Sequence, residues 1–162
     1  MKIEAIESAH WEGVLEIQSE AYQQVGLEDL AVLKSKSEAS PETCFVCLSD
    51  EGQVQGYLLA HLWSGHQPPK LFTRLPVIEA GDHLYLHDIA VSSRARGQGV
   101  GGELFEALER VSRERGITKL RLVAVQGAAS YWARLGFNEV RTTRVCPSYG
   151  NDAVMMEKAL VF

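Results

Sequence analysis

The sequence predicts a mixed α/β domain, and three observations support this fold class. Stretches in which apolar and polar residues alternate, as in strands, are interleaved with stretches that have helical spacing. Between residues 84 and 145 the order is strand, helix, strand, helix, strand. The length of 162 residues, 46% of them hydrophobic and 23% charged, suits a single domain over residues 1–162 with a buried core.

The first half of the chain is predicted to form three strands and two helices. The predicted strands are 3–7, 43–48 and 53–63, and the predicted helices are 8–22 and 28–39. Ser8 can cap the first helix, and Asp50-Glu51-Gly52 is a hairpin turn between the second and third strands. The irregular connection Ser64–Asp82 is long for a compact domain, and connections of this length more often have a function. A tolerated surface insertion is the alternative.

The second half is predicted to form four strands and two helices. The predicted strands are 84–91, 118–125, 137–145 and 153–161, and the predicted helices are 100–115 and 128–135. Leu84–Val91 is mostly apolar, which is typical of a strand buried on both faces. Gly116 ends the first of these helices, and a polar turn over residues 147–152 separates the last two strands.

A glycine loop, Arg96-Gly97-Gln98-Gly99-Val100-Gly101-Gly102, follows the apolar strand and begins a helix. Backbone N–H groups at a helix start have no intrahelical partner, and the helix dipole adds positive charge there. Glycines allow the backbone to approach a phosphate closely. The loop therefore predicts a site for a ligand that contains a pyrophosphate.

This glycine loop fits two phosphate-binding patterns. Gly97-x-Gly99-x-x-Gly102 matches the dinucleotide fingerprint, but residues 92–96 separate it from the strand. The next strand ends in Val123-Ala124-Val125-Gln126, without the acid that would hold a ribose, and the motif begins past the chain midpoint. These observations disfavour an NAD site. The second pattern is Arg96-x-x-Gly99-x-Gly101, preceded by Asp88-Ile89-Ala90-Val91.

The second pattern resembles motif A of the GNAT superfamily of N-acetyltransferases. Downstream, residues 128–137 (AASYWARLGF) are similar to motif B of that family, whose usual form is Ala-x-x-Phe-Tyr-x-x-x-Gly-Phe. The first half of the chain agrees with the family only in the order of its elements. The resemblance implies the GNAT fold, a mixed and mostly antiparallel sheet of about six or seven strands, flanked by about four helices and splayed at its two central strands.

The resemblance also implies acetyl-CoA as co-substrate. In the family, the loop that matches residues 96–102 binds the pyrophosphate, and the preceding strand pairs with the pantetheine arm. A backbone N–H near Val91 would polarise the thioester carbonyl, and Arg94 and Arg96 could meet the 3′-phosphate. The implied cofactor-binding residues are Ile89, Ala90, Val91, Arg96, Gly97, Gln98, Gly99, Val100, Gly101, Gly102 and Trp132.

The implied reaction is direct transfer of an acetyl group to a primary amine of a small molecule, peptide or protein. Asp88 and His87 are the candidate bases that would deprotonate the acceptor ammonium. Strict alternation along a strand puts them on opposite faces, so they are not expected to face the same cavity. A structural role for either residue, as a polar group hydrogen-bonded between layers, is the alternative.

Trp132 stands where the family commonly has a tyrosine that protonates the CoA thiolate. An indole N–H has no useful acidity, and the neighbouring Tyr131 is expected to pack because it points about 100° away on a helix. Tyr149 is the candidate hydroxyl, although a thiolate of pKa near ~8.5 can also leave unassisted. The departure at Trp132 leaves a non-catalytic CoA-binding sensor as the alternative function.

Charge, cysteines and hydropathy disfavour several other classes of protein. The net charge of −5 argues against a nucleic-acid partner and slightly favours a cationic acceptor. Cys44 and Cys47 lie in a predicted strand, where positions i and i+3 face opposite sides, so no metal site is expected. No apolar run approaches the ~20 residues of a membrane span, and acids interrupt the N-terminus, so we expect a cytoplasmic protein without a membrane partner. The resemblance also allows a homodimer, because C-terminal strands in the family often pair.

Overall fold

An open seven-stranded sheet forms the centre of the computed structural model, which describes residues 1–21, 27–65, 67–69, 72–75, 80–125, 127–140 and 153–160. The strands are β1 Lys2–Ala5, β2 Cys44–Leu48, β3 Val54–Trp63, β4 His83–Val91, β5 Lys119–Ala124, β6 Asn138–Glu139 and β7 Val154–Ala159. Their order across the sheet is β1-β2-β3-β4-β5-β7-β6. Among the described strand pairs, only the central pair, β4 and β5, is parallel. The sheet is thus mixed and mostly antiparallel, as predicted.

In the described part of the chain four α-helices flank the sheet: α1 Trp11–Ala21, α2 Leu30–Ala39, α3 Val100–Glu114 and α4 Ala129–Arg134. The first begins with a short 3-10 turn rather than with a Ser8 cap. There, Nδ1 of His10 accepts the backbone N–H of Glu7 at 2.9 Å. No helix among the described residues is long and apolar enough to cross a membrane. The predicted strand 137–145 is observed only as β6, and residues 141–152 lie outside the described part of the chain.

Apolar side chains pack on both faces of the sheet and form two cores. Alternation along β3 places Leu58 in the core under α3 and Leu59 in the core under α1 and α2. Cys44 and Cys47 also go to different cores, as predicted for positions i and i+3 of a strand. Burial raises the pKa of the Cys44 thiol to about 12, so this thiol is protonated at neutral pH.

Helix α3 lies close against β3 because Gly56 has no side chain. A Cβ at this position would lie 2.7 Å from Cγ1 of Val100 and 3.1 Å from the carbonyl oxygen of Ala90. Both distances are shorter than an ordinary van der Waals contact, so a larger residue would push the helix outward. The close approach holds the start of α3 beside the end of β4.

Candidate functional site

The glycine loop, residues 96–102, leads into α3 through two left-handed residues. Gly97 and Gly99 both have φ of +80°, a conformation that glycine adopts without steric cost. A Cβ at Gly97, Gly99 or Gly102 would meet no described atom within 4 Å, so the backbone borders open space. The N–H of Glu103 bonds the carbonyl of Gly99 at 3.0 Å, and the N–H groups just before it have no partner within the helix. The loop therefore has the geometry of an anion site.

A contact with α1 holds the short turn Ser93–Ala95 that precedes the glycine loop. The carboxylate of Glu20 accepts the backbone N–H of Ser93 at 3.0 Å. Hydrogen bonds from the side chain and the backbone of Ser93 lower the pKa of Glu20, and the nearby charges of Arg94 and Arg96 act in the same direction. Both arginines are exposed, so one positive charge lies just before the loop and a second at its first residue. Sequence reasoning missed Glu20, which lies outside both motifs.

Strands β4 and β5 separate after a short paired segment. Their ladder joins Leu84 with Leu120 and ends at the pair Leu86 and Leu122. The remainder of β4, through Val91, pairs with β3 on its other side. A gap, which we call the β4–β5 gap, therefore opens between residues 87–91 and residues 123–124. It contains the strand residues Ile89, Ala90 and Val91 that were predicted to bind the cofactor, and the splay itself is confirmed.

A bulge in β4 interrupts the alternation of side chains at the start of this gap. Leu59 of β3 pairs with Asp88, whereas the next residue, Ala60, pairs with Leu86, so His87 is an extra residue in β4. A bulge of this kind re-aims the side chains next to it. The prediction that His87 and Asp88 face opposite sides is therefore wrong, because it assumed strict alternation.

Contacts show that His87 and Asp88 both face α1 and α2. Nε2 of His87 lies 2.8 Å from Oε1 of Glu28, the residue two positions before α2. Asp88 accepts the hydroxyl of Tyr57, a member of the core under α1 and α2, with 2.7 Å to Oδ2. Nζ of Lys36 in α2 reaches the other oxygen of Glu28 at 3.3 Å. The two candidate bases thus belong to one buried polar cluster, and sequence reasoning missed Glu28 and Lys36.

Charges within this cluster compensate one another. Burial opposes ionisation of Glu28, but the hydrogen bond from His87 and the charges of His87 and Lys36 lower its pKa to about 2. Burial lowers the pKa of Lys36, an effect that the charge of Glu28 partly offsets. Burial also lowers the pKa of His61 to about 3. The His61 ring is 6.1 Å from the His87 ring between centroids, so a second, neutral imidazole borders the candidate base.

Trp132 packs in the core among aromatic side chains. It is 6% exposed, and its ring lies 5.4 Å from Phe137 and 6.0 Å from Phe105 between centroids. The neighbouring Tyr131 is 38% exposed, which corrects the expectation that this side chain packs inside. A Cβ built on Gly101 would lie 3.4 Å from the Tyr131 hydroxyl. The helix therefore presents Tyr131, and not Trp132, to the glycine loop.

Tyr149, the predicted proton donor, lies outside the described residues. The connection between β3 and β4 is described in part, and two contacts tie it to α2 and Glu28. The N–H of Phe72 donates to Oε2 of Glu28 at 2.8 Å, and the N–H of Leu75 donates to Oγ of Ser35 at 2.9 Å. This segment therefore borders the polar cluster.

Several solved structures share this fold along nearly the whole chain. Ard1 from Thermoplasma volcanium has a TM-score of 0.78 and 19% identity, covering 99% of this chain and 98% of that one. The ribosomal-protein-S18-alanine N-acetyltransferase from Escherichia coli has a TM-score of 0.68 and 19% identity, covering 99% and 94%. The GphF GNAT-like decarboxylase in complex with isobutyryl-CoA has a TM-score of 0.77 and 16% identity, covering 99% and 100%.

Identities this low show a common fold and leave the reaction undetermined. Comparison with curated proteins gave no significant match. The model of the Acetyltransferase (GNAT) family, however, matches residues 11–137, which include the glycine loop, both strands of the gap and motif B. The chain therefore belongs to the GNAT acetyltransferase family.

Proposed function

We propose that this protein transfers the acetyl group of acetyl-CoA to a primary amine. The observation that carries the proposal is the position of the glycine loop, which begins α3 directly beside the β4–β5 gap. The helix start suits a pyrophosphate, and the end of the β4–β5 ladder at Leu86 and Leu122 leaves a strand edge with which an extended arm ending in a thioester can pair. The GphF decarboxylase, which shares the fold, binds isobutyryl-CoA, and this supports a ligand of the CoA type.

In this proposal the loop Arg96–Gly102 holds the pyrophosphate through backbone N–H groups, and Arg94 and Arg96 attract the 3′-phosphate. The strand Ile89–Val91 pairs with the pantetheine arm, and an N–H near Val91 polarises the thioester carbonyl. The hydroxyl of Tyr131, beside Gly101, adds one neutral donor at the loop. Trp132, for which the resemblance implies a cofactor contact, supports the site from its position against Phe105 and Phe137.

The amine reaches the thioester from the α1 and α2 side of the sheet, where His87 and Asp88 lie. One of them accepts the proton that the ammonium loses, and the neutral nitrogen attacks the thioester carbonyl. The C–S bond then breaks and the CoA thiolate leaves. Tyr149 remains the candidate proton donor, with unassisted departure as the alternative, because a thiol of pKa near ~8.5 is a fair leaving group.

Two observations support a cationic amine of a small molecule or peptide as the acceptor. The net charge of −5 favours cations over anions near the protein. The E. coli neighbour is, by its name, an N-acetyltransferase for an alanine of a ribosomal protein. We therefore propose peptides with free N-termini and small amines as the first acceptors to test.

Calorimetric titration with acetyl-CoA, with NADH as the control ligand, tests the donor. We expect saturable binding at one site for acetyl-CoA and none for NADH. Release of the CoA thiol is then measured over a panel of amines and peptides, and it should depend on the amine. Binding without release for any amine would favour a non-catalytic CoA-binding sensor. No binding of acetyl-CoA would contradict the proposal altogether.

A further inference from the structure

Glu28 holds the ring of His87 from a position outside both family motifs. Its side chain is 6% exposed and lies 2.8 Å from Nε2 of His87, whose side chain is 1% exposed. Gln18 of α1 fixes the Glu28 backbone, because the Gln18 amide accepts its N–H at 2.9 Å and donates to its carbonyl at 3.2 Å. Lys36 and the N–H of Phe72 both donate to the second carboxylate oxygen, Oε2. The position and orientation of the carboxylate are thus set by contacts on three sides.

This contact determines which nitrogen of His87 carries the hydrogen. A carboxylate with a pKa of about 2 is ionised at neutral pH and can only accept, so Nε2 of a neutral His87 must donate. Nδ1 then has a lone pair, and it is buried with no hydrogen-bond partner among the described residues. A buried polar atom without a partner requires an explanation, and a catalytic role is one of the recognised ones.

His61 also has a buried ring nitrogen with a lone pair and no hydrogen-bond partner among the described residues. Its Nδ1 lies 3.0 Å from the carbonyl oxygen of Leu62, which can only accept, so Nε2 has the lone pair. Within the described part of the chain that nitrogen is also buried without a partner. The two lone pairs cannot bond each other, because neither nitrogen has a hydrogen. Each lone pair can instead accept a hydrogen bond from an ammonium group, or from a water that lies between the ring and the ammonium group.

The location of His87 is appropriate for the transfer. It is the bulge residue directly after Leu86, the last residue of β4 that pairs with β5, so it stands where the gap begins. The neighbouring carboxylate of Asp88 already accepts the hydroxyl of Tyr57 at 2.7 Å. His87 and Asp88 thus each have one atom held by a neighbouring side chain, and the two differ in that the contact with Glu28 sets the tautomer of His87.

We propose that Glu28 is a positioning residue that keeps His87 in its Nε2–H tautomer, so that Nδ1 of His87 deprotonates the acceptor ammonium, directly or through one water. The inference rests on the proposed function and assigns the role of base to His87. One proton passes from the ammonium to Nδ1, the N–C bond forms and the C–S bond breaks. The nitrogen loses a second proton when the amide forms, and the CoA thiolate takes up one proton, so these two changes balance.

The variant Glu28→Gln tests this role because it keeps the shape of the side chain. Its single amide oxygen is best placed toward Lys36 and the Phe72 N–H, so the NH2 group faces Nε2 of His87. His87 must then accept at Nε2 and carry its hydrogen on Nδ1, which removes the basic lone pair. We expect kcat to fall about 10²-fold, the usual contribution of a general base, with the KM for acetyl-CoA unchanged.

Nitrogen-15 NMR of the histidine rings measures the tautomer directly. In the unsubstituted protein we expect a protonated Nε2 and an unprotonated Nδ1 for His87, and in Glu28→Gln the reverse. Glu109→Gln is the matched control, since Glu109 is also a part-buried carboxylate that pairs with a lysine, Lys158, at 2.9 Å. This control should change neither the tautomer nor kcat.

The outcomes separate the inference from the proposed function. An Nδ1–H tautomer of His87 in the unsubstituted protein would overturn the inference, and this measurement does not depend on whether Glu28→Gln folds. A reversed tautomer in Glu28→Gln with undiminished kcat would also overturn it. If the unsubstituted protein released no CoA with any amine, the proposed function would fail, and the proton transfer with it, whatever tautomer is found.

Discussion

Gly99 combines a left-handed backbone with an open surface at the start of α3. Its φ is +80°, and no described atom lies within 4 Å of where a Cβ would be. Gly52, in the turn between β2 and β3, has nearly the same properties, with φ of +83° and the same open surroundings. The two positions therefore differ mainly in what they face, and this makes Gly52 a strain-matched control for the loop.

We predict that Gly99→Val weakens binding of acetyl-CoA at least about 10-fold, or ~1.4 kcal/mol, because its methyl groups occupy the space of the pyrophosphate. Gly52→Val should bind acetyl-CoA normally. Both variants should lose about 1–2 kcal/mol of stability, since a left-handed conformation strains a residue with a Cβ. Calorimetry and thermal unfolding check this prediction, and equal affinities of the two variants would contradict the assigned role of the loop.

Tyr131 and Trp132 are adjacent in sequence but belong to different parts of the protein. We predict that Trp132→Phe lowers the free energy of unfolding by less than the ~3–5 kcal/mol of a truncation to alanine and leaves kcat unchanged. Tyr131→Phe should instead leave stability unchanged and weaken acetyl-CoA binding by about 1 kcal/mol, the value of one hydrogen bond. A large loss of kcat in Trp132→Phe, with binding unchanged, would show that the indole takes part in the chemistry.

At the scale of secondary-structure elements, the position of α3 against β3 decides where the anion site lies. Only a hydrogen at Gly56 separates the strand from the helix, since a Cβ would lie 2.7 Å from Cγ1 of Val100. Packed interiors respond to an added methyl group with displacement of neighbouring elements. The affinity for the cofactor should therefore depend on a residue that never contacts it.

We predict that Gly56→Ala destabilises the protein by about 1–3 kcal/mol and weakens acetyl-CoA binding, because α3 moves away from β3. Adding Val100→Ala removes the nearest clashing atom and should recover part of both losses. Denaturant unfolding and calorimetry on the single and double variants test the coupling. Full affinity in Gly56→Ala would mean that the start of α3 is not held in place by this contact.

At the scale of the whole molecule, buried titratable groups link stability to pH. His61 has a folded pKa of about 3 against an ordinary value of 6.5, so the unfolded chain binds a proton that the folded protein does not. The contribution of neutral His61 to the free energy of unfolding is therefore fully present above pH 6.5 and is lost as the pH falls toward 3. Burial lowers the pKa of His83 too, which adds to the same trend. The stabilisation from Glu28 is fully present above pH 4.5 and is lost as the pH falls from 4.5 toward its folded pKa of about 2.

We predict that the free energy of unfolding falls between pH 6.5 and pH 5 with a contribution from His61 of up to about 1.4 kcal/mol per pH unit. His61→Phe should reduce this slope, since phenylalanine cannot take up a proton in the unfolded chain. Denaturant unfolding at several pH values measures the slope. The same slope in the variant would show that His61 does not remain neutral in the folded protein.

The sequence by itself determined the family, the order of elements and the glycine loop. These features are local, because alternation in β3, the apolar stripe of α3 and the conformational freedom of Gly97 and Gly99 depend on neighbours along the chain. The opposite placement of Cys44 and Cys47 was predictable for the same reason, since both lie in one regular strand. The glycine loop predicted a phosphate site, and the two motifs in their order carried the resemblance that implied a splayed sheet.

Only the tertiary structure decided which side chains meet in the candidate site. The bulge at His87 depends on the register between β3 and β4, which residues 83–91 alone do not specify. Glu28 is 59 positions from His87 in sequence, and no motif connects them. The choice between Tyr131 and Trp132 depends on the space that Phe105 and Phe137 leave. Such contacts are set by the packing of distant segments, which local sequence patterns do not encode.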